Sequence, residues 1–151
     1  MNSADLCSKY LNDSRVMQLA TVAGDQPWIC SVYFVTDDNH NLYWLSLPSR
    51  QHSQEIAQQP NVAAAIAVKL DQPIIGIQIS GRAEIISDDT VIAAVMATYI
   101  SKYNTGHDFL ANFKVGSNKH RLYCLRPSNI ILFDEVHYPD SPRQIIDIKT
   151  S

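Results

Sequence analysis

Between residues 16 and 47 the chain alternates three short runs rich in β-branched and aromatic residues with two five-residue polar turns. The runs are VMQLATV (16–22), WICSVYFVT (28–36) and LYWLSL (42–47). Ala23-Gly24-Asp25-Gln26-Pro27 and Asp37-Asp38-Asn39-His40-Asn41 carry turn chemistry. Strands this close together have no room for crossover helices, so an alternating parallel α/β fold is excluded. The spacing predicts an antiparallel meander. Residues 62–70, VAAAIAVKL, are bounded tightly by prolines and predict a buried strand. Residues 74–86 predict a long strand in which Gly76 and Gly81 mark a bulge, a bend or a close backbone approach. Segments 120–126 and 129–135 predict two further strands around a turn at Pro127-Ser128, and RQIIDI near the C-terminus predicts an edge strand.

Helical signals are peripheral. Ser3 is placed to cap a helix over 3–12, with Leu6, Cys7 and Tyr10 inward. A second helix over 51–59 stops at Pro60, since the residue before proline avoids the helical region. A third, over 90–103, is capped by Asp88 or Asp89 and gathers Val91, Ala94, Val95, Thr98 and Tyr99 on one face. Residues 107–114 add one or two further turns. The expected architecture is mainly β with peripheral helices: a closed or nearly closed antiparallel barrel of six to seven strands.

A length of 151 residues predicts one domain over 1–151, with a core at 15–135, an N-terminal helix at 1–14 and a tail at 136–151. The net charge of −3 argues against a nucleic-acid binder, because phosphate neutralisation needs a basic face. Cys7, Cys30 and Cys124 are too few and too scattered for a disulfide framework, and no CxxC pair offers a zinc knuckle. Five dispersed histidines without HxH or HExxH spacing predict no metal site. No apolar run approaches the ~20 residues that span a bilayer. The polar start, MNSADLCSKYLNDSR, lacks the apolar core of a signal peptide, so the expected location is the reduced cytoplasm.

Chemistry concentrates in LYWLSLPSRQHSQEIAQQP, residues 42–60, where a strand ends and a helix begins at Ser49. A first helical turn has unpaired amides and the positive end of the helix dipole, which together attract an anion. Arg50 adds a planar cationic fork suited to phosphate oxygens. Ser46, Ser49, Gln51 and His52 can donate from the same place. The alternative is that Ser49 only caps the helix and Arg50 is solvated. Trp28, Tyr33, Phe34, Tyr43 and Trp44 cluster nearby, either as barrel core or as walls for a flat ring lying along the second strand. Cys30 reads as a reactive thiol or as a small buried hydrophobe. No GxSxG elbow supports a serine nucleophile.

The order of these segments resembles the pyridoxamine 5′-phosphate oxidase-like FMN-binding split-barrel superfamily over about residues 15–134. The resemblance rests on LATV with GDQP on the first hairpin and an aromatic third strand. A Ser-Arg helix start, a Gln-Gln-Pro-Asn helix stop and a strand carrying GRAE follow. It implies a split β-barrel homodimer with FMN in clefts between the subunits. Ser49 and Arg50 match the family's phosphate-binding Ser-Arg. The Lys that usually follows is Gln51 here, with His52 next to it as a replacement donor. Leu45 and Ser46 match cofactor contacts at the end of the third strand. Cys30, Ser31 and Val32 match the strand whose backbone meets the isoalloxazine ring. A Gln that approaches the flavin in the oxidases proper corresponds to Gly76, and Gln78, two residues on and on the same face, is carried in its place. The oxidases' substrate-binding Arg-Leu-His has no counterpart in the tail RQIIDIKTS. The resemblance therefore implies a related flavin-dependent oxidoreductase, or a non-catalytic module for flavin, haem or deazaflavin on the same barrel. Residues 109–119 are a candidate for the partner's contribution to the cleft.

Overall fold

The computed structural model describes residues 1–104 and 119–148. Its elements are α1 (Ser3–Asp13), β1 (Val16–Ala23), β2 (Gln26–Tyr33), β3 (Val35–Thr36), β4 (Leu42–Ser46), α2 (Gln51–Gln58), β5 (Asn61–Lys69), β6 (Ile75–Ile85), α3 (Asp89–Tyr103), β7 (Arg121–Asp134) and β8 (Arg143–Ile146). The fold is mainly β, an antiparallel half-barrel with the helices at its periphery. Strand order is β2-β1-β5-β6-β7-β4-β3, with β8 added to β7. The helical turns predicted over residues 107–114, and all but the last residue of the candidate segment 109–119, lie outside the described residues.

The predicted strand over 28–36 is broken at Phe34. Before it, β2 pairs with β1, from Val16↔Tyr33 to Ala23↔Gln26. After it, Val35 and Thr36 pair with Tyr43 and Leu42 of β4. One continuous stretch thus serves both ends of the sheet, and the meander becomes two hairpins joined at a corner. Phe34 is fully buried. Its amide donates to the Arg15 carbonyl at 3.2 Å and to the Tyr103 hydroxyl at 3.1 Å. The Lys102 ammonium sits 4.6 Å from its ring centroid and donates to its carbonyl at 3.2 Å. Both clamping residues come from the last turn of α3.

Alternation along the strands sends one face inward. Met17 and Leu19 of β1, Val62, Ala64 and Ile66 of β5, and Ile75, Ile77 and Ile79 of β6 are buried there with Leu6 and Leu11 of α1 and Ile56 of α2. A smaller core on the outer face holds Val35, Tyr43, Leu122 and Cys124 beneath Val95 of α3. Strand β5 was expected to be buried, but its outward residues Ala63, Ala65 and Ala67 are exposed because no described element covers them.

Of the caps of α1 and α3, the first differs from expectation and the second is one of the two residues expected. Asn2, not Ser3, caps α1, in a reciprocal pair: the Asp5 amide donates to the Asn2 side chain at 2.8 Å, and the Asn2 amide donates to the Asp5 carboxylate at 3.2 Å. Asp88 caps α3 by accepting from the amides of Thr90 and Val91. On α3, Val95 and Met96 are buried, whereas Ala94 and Thr98 of the expected apolar face are exposed. The last strand pair also departs from the prediction. Residues 121–134 form one strand, and Pro127-Ser128 makes a bulge opposite Ser80 and Gly81 instead of a turn. Proline has no amide to give the ladder, and the bulge accommodates it.

Gly81 explains how that bulge closes. A Cβ there would lie 2.1 Å from the Arg126 carbonyl oxygen, whereas at Gly76 the nearest atom would be an ordinary 3.5 Å away. Gly81→Ala should therefore destabilise the fold by about 1–3 kcal/mol, the range for overpacking, because the obstacle is backbone that cannot rotate aside. Gly76→Ala should change stability much less. Urea denaturation of the two variants checks the contrast.

Candidate functional site

α2 packs against β1, β2 and β6. Ser46, the last residue of β4, shares the inward face with Leu42 and Trp44. Its Oγ lies 2.7 Å from His52 Nε2. Ser53 Oγ donates to Ser46 Oγ over a longer 3.4 Å. All three side chains are buried. One turn further along, the buried Glu55 accepts from the Thr21 hydroxyl and from the Gln51 amide, both at 2.9 Å. A carboxylate left unpaired there would be costly, so the Thr21 donor pins α2 to β1 while Gln51, on the same helix, satisfies the second carboxylate oxygen.

The helix start itself is open. The N-cap is Arg50 and not the expected Ser49, and no side chain caps the first turn. Arg50 has extended backbone (φ −68°, ψ 149°), and its carbonyl accepts from the Gln54 amide at 3.0 Å. Ser49 is therefore one residue too early to reach the first-turn amides. Ser49, Arg50 and Gln51 are exposed, and Arg50 forms no salt bridge among the described residues. Uncapped amides, a dipole end and an unpaired guanidinium fit an anionic group such as a phosphate. His52 is held below its ordinary pKa by burial and then by the Arg50 charge, while Glu55 pulls the other way. It is neutral at pH 7.

The remaining sequence-predicted residues divide by face. Cys30 and Val32 stand opposite Leu19 and Met17, pointing inward, half-buried against the main core. Burial raises the Cys30 thiol, so it is protonated and inert at neutral pH, which favours the hydrophobe reading. Ser31 points outward and donates to Gln18 at 2.8 Å. Gln78 is exposed on that same outer face. The register places it in one cross-strand row with Ser31, Gln18 and Ala65. Three strand spacings separate it from Ser31, roughly 14 Å. Leu45 is half-buried among the smaller outer core. Within one chain, then, Ser46, Ser49, Arg50, Gln51 and His52 come together, Cys30 and Val32 share the inner face, and Leu45, Ser31 and Gln78 lie across the sheet. Thr21 and Glu55 carry no local sequence signal for this site. Glu55 reads locally as a surface charge, and only the docking of α2 on β1 reveals the pair.

Of the aromatic cluster, Phe34, Tyr43 and Trp44 are core, whereas Trp28 and Tyr33 are exposed on β2. Among the described residues, no three His, Cys, Asp or Glu side chains gather to hold a metal ion. No helix among them is long and apolar enough to cross a membrane.

A family model described as pyridoxamine 5′-phosphate oxidase matches residues 4–133. A comparison with curated protein sequences finds no match. Similar solved structures include the conserved hypothetical protein Rv2991 from Mycobacterium tuberculosis, at TM-score 0.77 and 16% identity over 100% of this chain and 94% of that one. A FAD-binding protein from Mesorhizobium loti superposes at TM-score 0.65 and 19% identity, over 85% and 90% of the two chains. HutZ, the heme storage protein from Vibrio cholerae, does so at TM-score 0.64 and 16% identity, over 85% and 92%. At these identities the likeness is one of fold.

The lowered His52 pKa sets a pH dependence. Because the folded state disfavours the protonated ring, stability is at its full value above the ordinary pKa of about 6.5 and declines as pH falls below it. His52→Gln should remove that part of the acid decline. Denaturation midpoints of both proteins at pH 7.5 and 5.5 check it: the wild type should lose more than the variant.

Proposed function

The chain belongs to the pyridoxamine 5′-phosphate oxidase family, and from that premise we propose that it is an FMN-binding protein, a small flavin-dependent oxidoreductase. The observation that carries this reading is the uncapped start of α2 with Arg50 beside it. There the first-turn amides and the guanidinium hold the phosphate, with Ser49 as a further donor. The neutral His52 and its bond to Ser46 keep the floor of the site rigid and uncharged. The ring lies against β2 along Cys30, Ser31 and Val32, and Leu45 of β4 backs it from the outer core. When bound, the flavin supplies the redox chemistry, and the protein orients it and shapes access.

The working unit is a homodimer, with each cofactor between subunits. Supporting this is the outer face of β1, β2 and β5, which no described element covers and where Ile29 (61% exposed) and Tyr33 (58% exposed) stand beside Val16 and the alanines of β5. On the dimer, Gln78 of the same face comes within the reach of a cofactor that one chain alone keeps away from it. The tail carries RQII in strand β8 where the oxidases have Arg-Leu-His, which favours a substrate other than phosphorylated pyridoxamine.

A second reading has one observation in its favour. Gln51 gives one amide hydrogen to Glu55 at 2.9 Å, so the position that is usually Lys adds no charge to the phosphate and has one of its two donors already engaged. A non-catalytic module that stores or senses flavin, haem or deazaflavin on the same barrel tolerates that loss better than an enzyme does. The Mesorhizobium and Vibrio proteins, by their names, bind FAD and store heme, and so illustrate both ligand classes on this fold.

Two measurements separate these readings. After incubation with FMN and desalting, the protein should keep the two-banded spectrum of oxidised flavin, and Arg50→Ala should weaken affinity about tenfold, as for a charged hydrogen bond worth ~1.5 kcal/mol. Unchanged affinity in the variant removes the phosphate site. A Soret band after haem addition, with no flavin kept, favours the module. Light scattering should return a dimer; a monomer that holds flavin contradicts the shared cleft.

A further inference from the structure

His52 has two ring nitrogens, and each has a separate task. Nε2 lies 2.7 Å from Ser46 Oγ. Ser46 Oγ also accepts from the Ser53 hydroxyl at 3.4 Å. Burial and the Arg50 charge keep the ring neutral. A neutral imidazole carries one N–H and one lone pair. If Nε2 held the hydrogen, Ser46 would accept twice. Its own O–H, on a residue only 6% exposed, would then have no acceptor among the described residues. An orphaned buried donor is costly. The cheaper arrangement runs one way: Ser53 donates to Ser46, and Ser46 donates to Nε2. The hydrogen of the ring then sits on Nδ1, which has no partner among the described residues although His52 is only 8% exposed.

Covalent geometry keeps Nδ1 near the helix start. It is bonded to Cγ, so it stays close to the backbone amide of its own residue, and helical side chains lean toward the N-terminus. The intrahelical ladder of α2 begins with the Gln54 amide donating to the Arg50 carbonyl. The amides of Gln51, His52 and Ser53 are therefore left without an intrahelical partner, and no side chain caps them. Resting on the phosphate reading above, we propose that the Nδ1–H of His52 is a phosphate donor, held in that tautomer by Ser46 and Ser53, and that it takes the place of the Lys usual at position 51. Gln51 is unsuited to that task, since it already gives one amide hydrogen to Glu55. A neutral donor adds direction without charge, so one guanidinium and a set of N–H groups recognise the phosphate. Ser46 and Ser53 are positioning residues that act through the ring.

Two substitutions separate a donor to the ligand from a brace under the helix. The amide nitrogen of Asn takes the place of Nδ1 but does not reach Ser46. That of Gln takes the place of Nε2 and leaves the position of Nδ1 empty. FMN and riboflavin are titrated into the full-length protein and both variants. His52→Gln should weaken FMN about fivefold, as for one hydrogen bond, and leave riboflavin unchanged. His52→Asn should recover most of that loss. A ring that only braces the helix gives the opposite order, because Gln keeps the Ser46 contact and Asn loses it, and that order overturns the proposal. A second measurement needs no variant. In wild-type protein labelled with ¹⁵N at histidine, NMR at neutral pH should find the His52 hydrogen on Nδ1, and inorganic phosphate should shift Nδ1 more than Nε2. A hydrogen on Nε2 overturns the proposal. Inorganic phosphate also keeps this test apart from the flavin reading. If it shifts Nδ1 in a protein without affinity for FMN, the donor stands and only the flavin falls; FMN that binds while Nδ1 ignores both ligands does the reverse.

Discussion

Phe34 joins the two ends of the sheet. The strand before it pairs with β1 and the strand after it with β4, so both edges of the half-barrel are set by one peptide corner. Its amide, carbonyl and ring are all engaged, by Arg15, Tyr103 and Lys102. Burial, with the Arg15 charge close by, pushes Lys102 down to about 8, while Asp13 opposes that shift. Fixing the corner fixes the distance between β2 and β4. The candidate cofactor strand and the floor beneath α2 take their positions from those two strands. A second constraint, the close approach of β7 to Gly81, holds the opposite side of the barrel.

The site follows from this frame. β4 delivers Ser46 to the inner face, and the chain turns at Leu47–Ser49 into α2. Thr21 donates to Glu55 from across on β1, which helps set how the helix lies on that strand. What is left open is its positive end, with Arg50 beside it, and that end suits an anion.

Much of this was legible in the sequence. Turn residues at 23–27 and 37–41 gave both hairpins, and Pro60 gave the end of α2. Gly76 and Gly81 mark a bulge, a bend or a close approach, and Gly81 is a close approach beside a bulge, whereas Gly76 makes only ordinary contact. What was not legible depended on partners far along the chain. Nothing local says that residues 28–36 bend at Phe34, because the bend is held by Lys102 and Tyr103 nearly seventy residues away. Pro127-Ser128 has the composition of a turn, but the missing side chain of Gly81 lets β7 run on through a bulge. Ser49 has the chemistry of a cap, but the backbone enters the helix one residue later. Glu55 looks solvated until β1 is packed against it. At the candidate site, residue types were readable and faces were not: Ser31 and Gln78 match a cofactor-binding pattern, yet they lie across the sheet from Ser46.

The central claim is that the start of α2 holds the phosphate of a flavin. Comparing the affinities of FMN and riboflavin tests it most directly, since the two differ only in that group. The account predicts that FMN binds at least tenfold more tightly than riboflavin, and that Arg50→Ala closes most of the gap by weakening FMN alone. Equal affinities for the two flavins, or a gap that Arg50→Ala leaves intact, would contradict it.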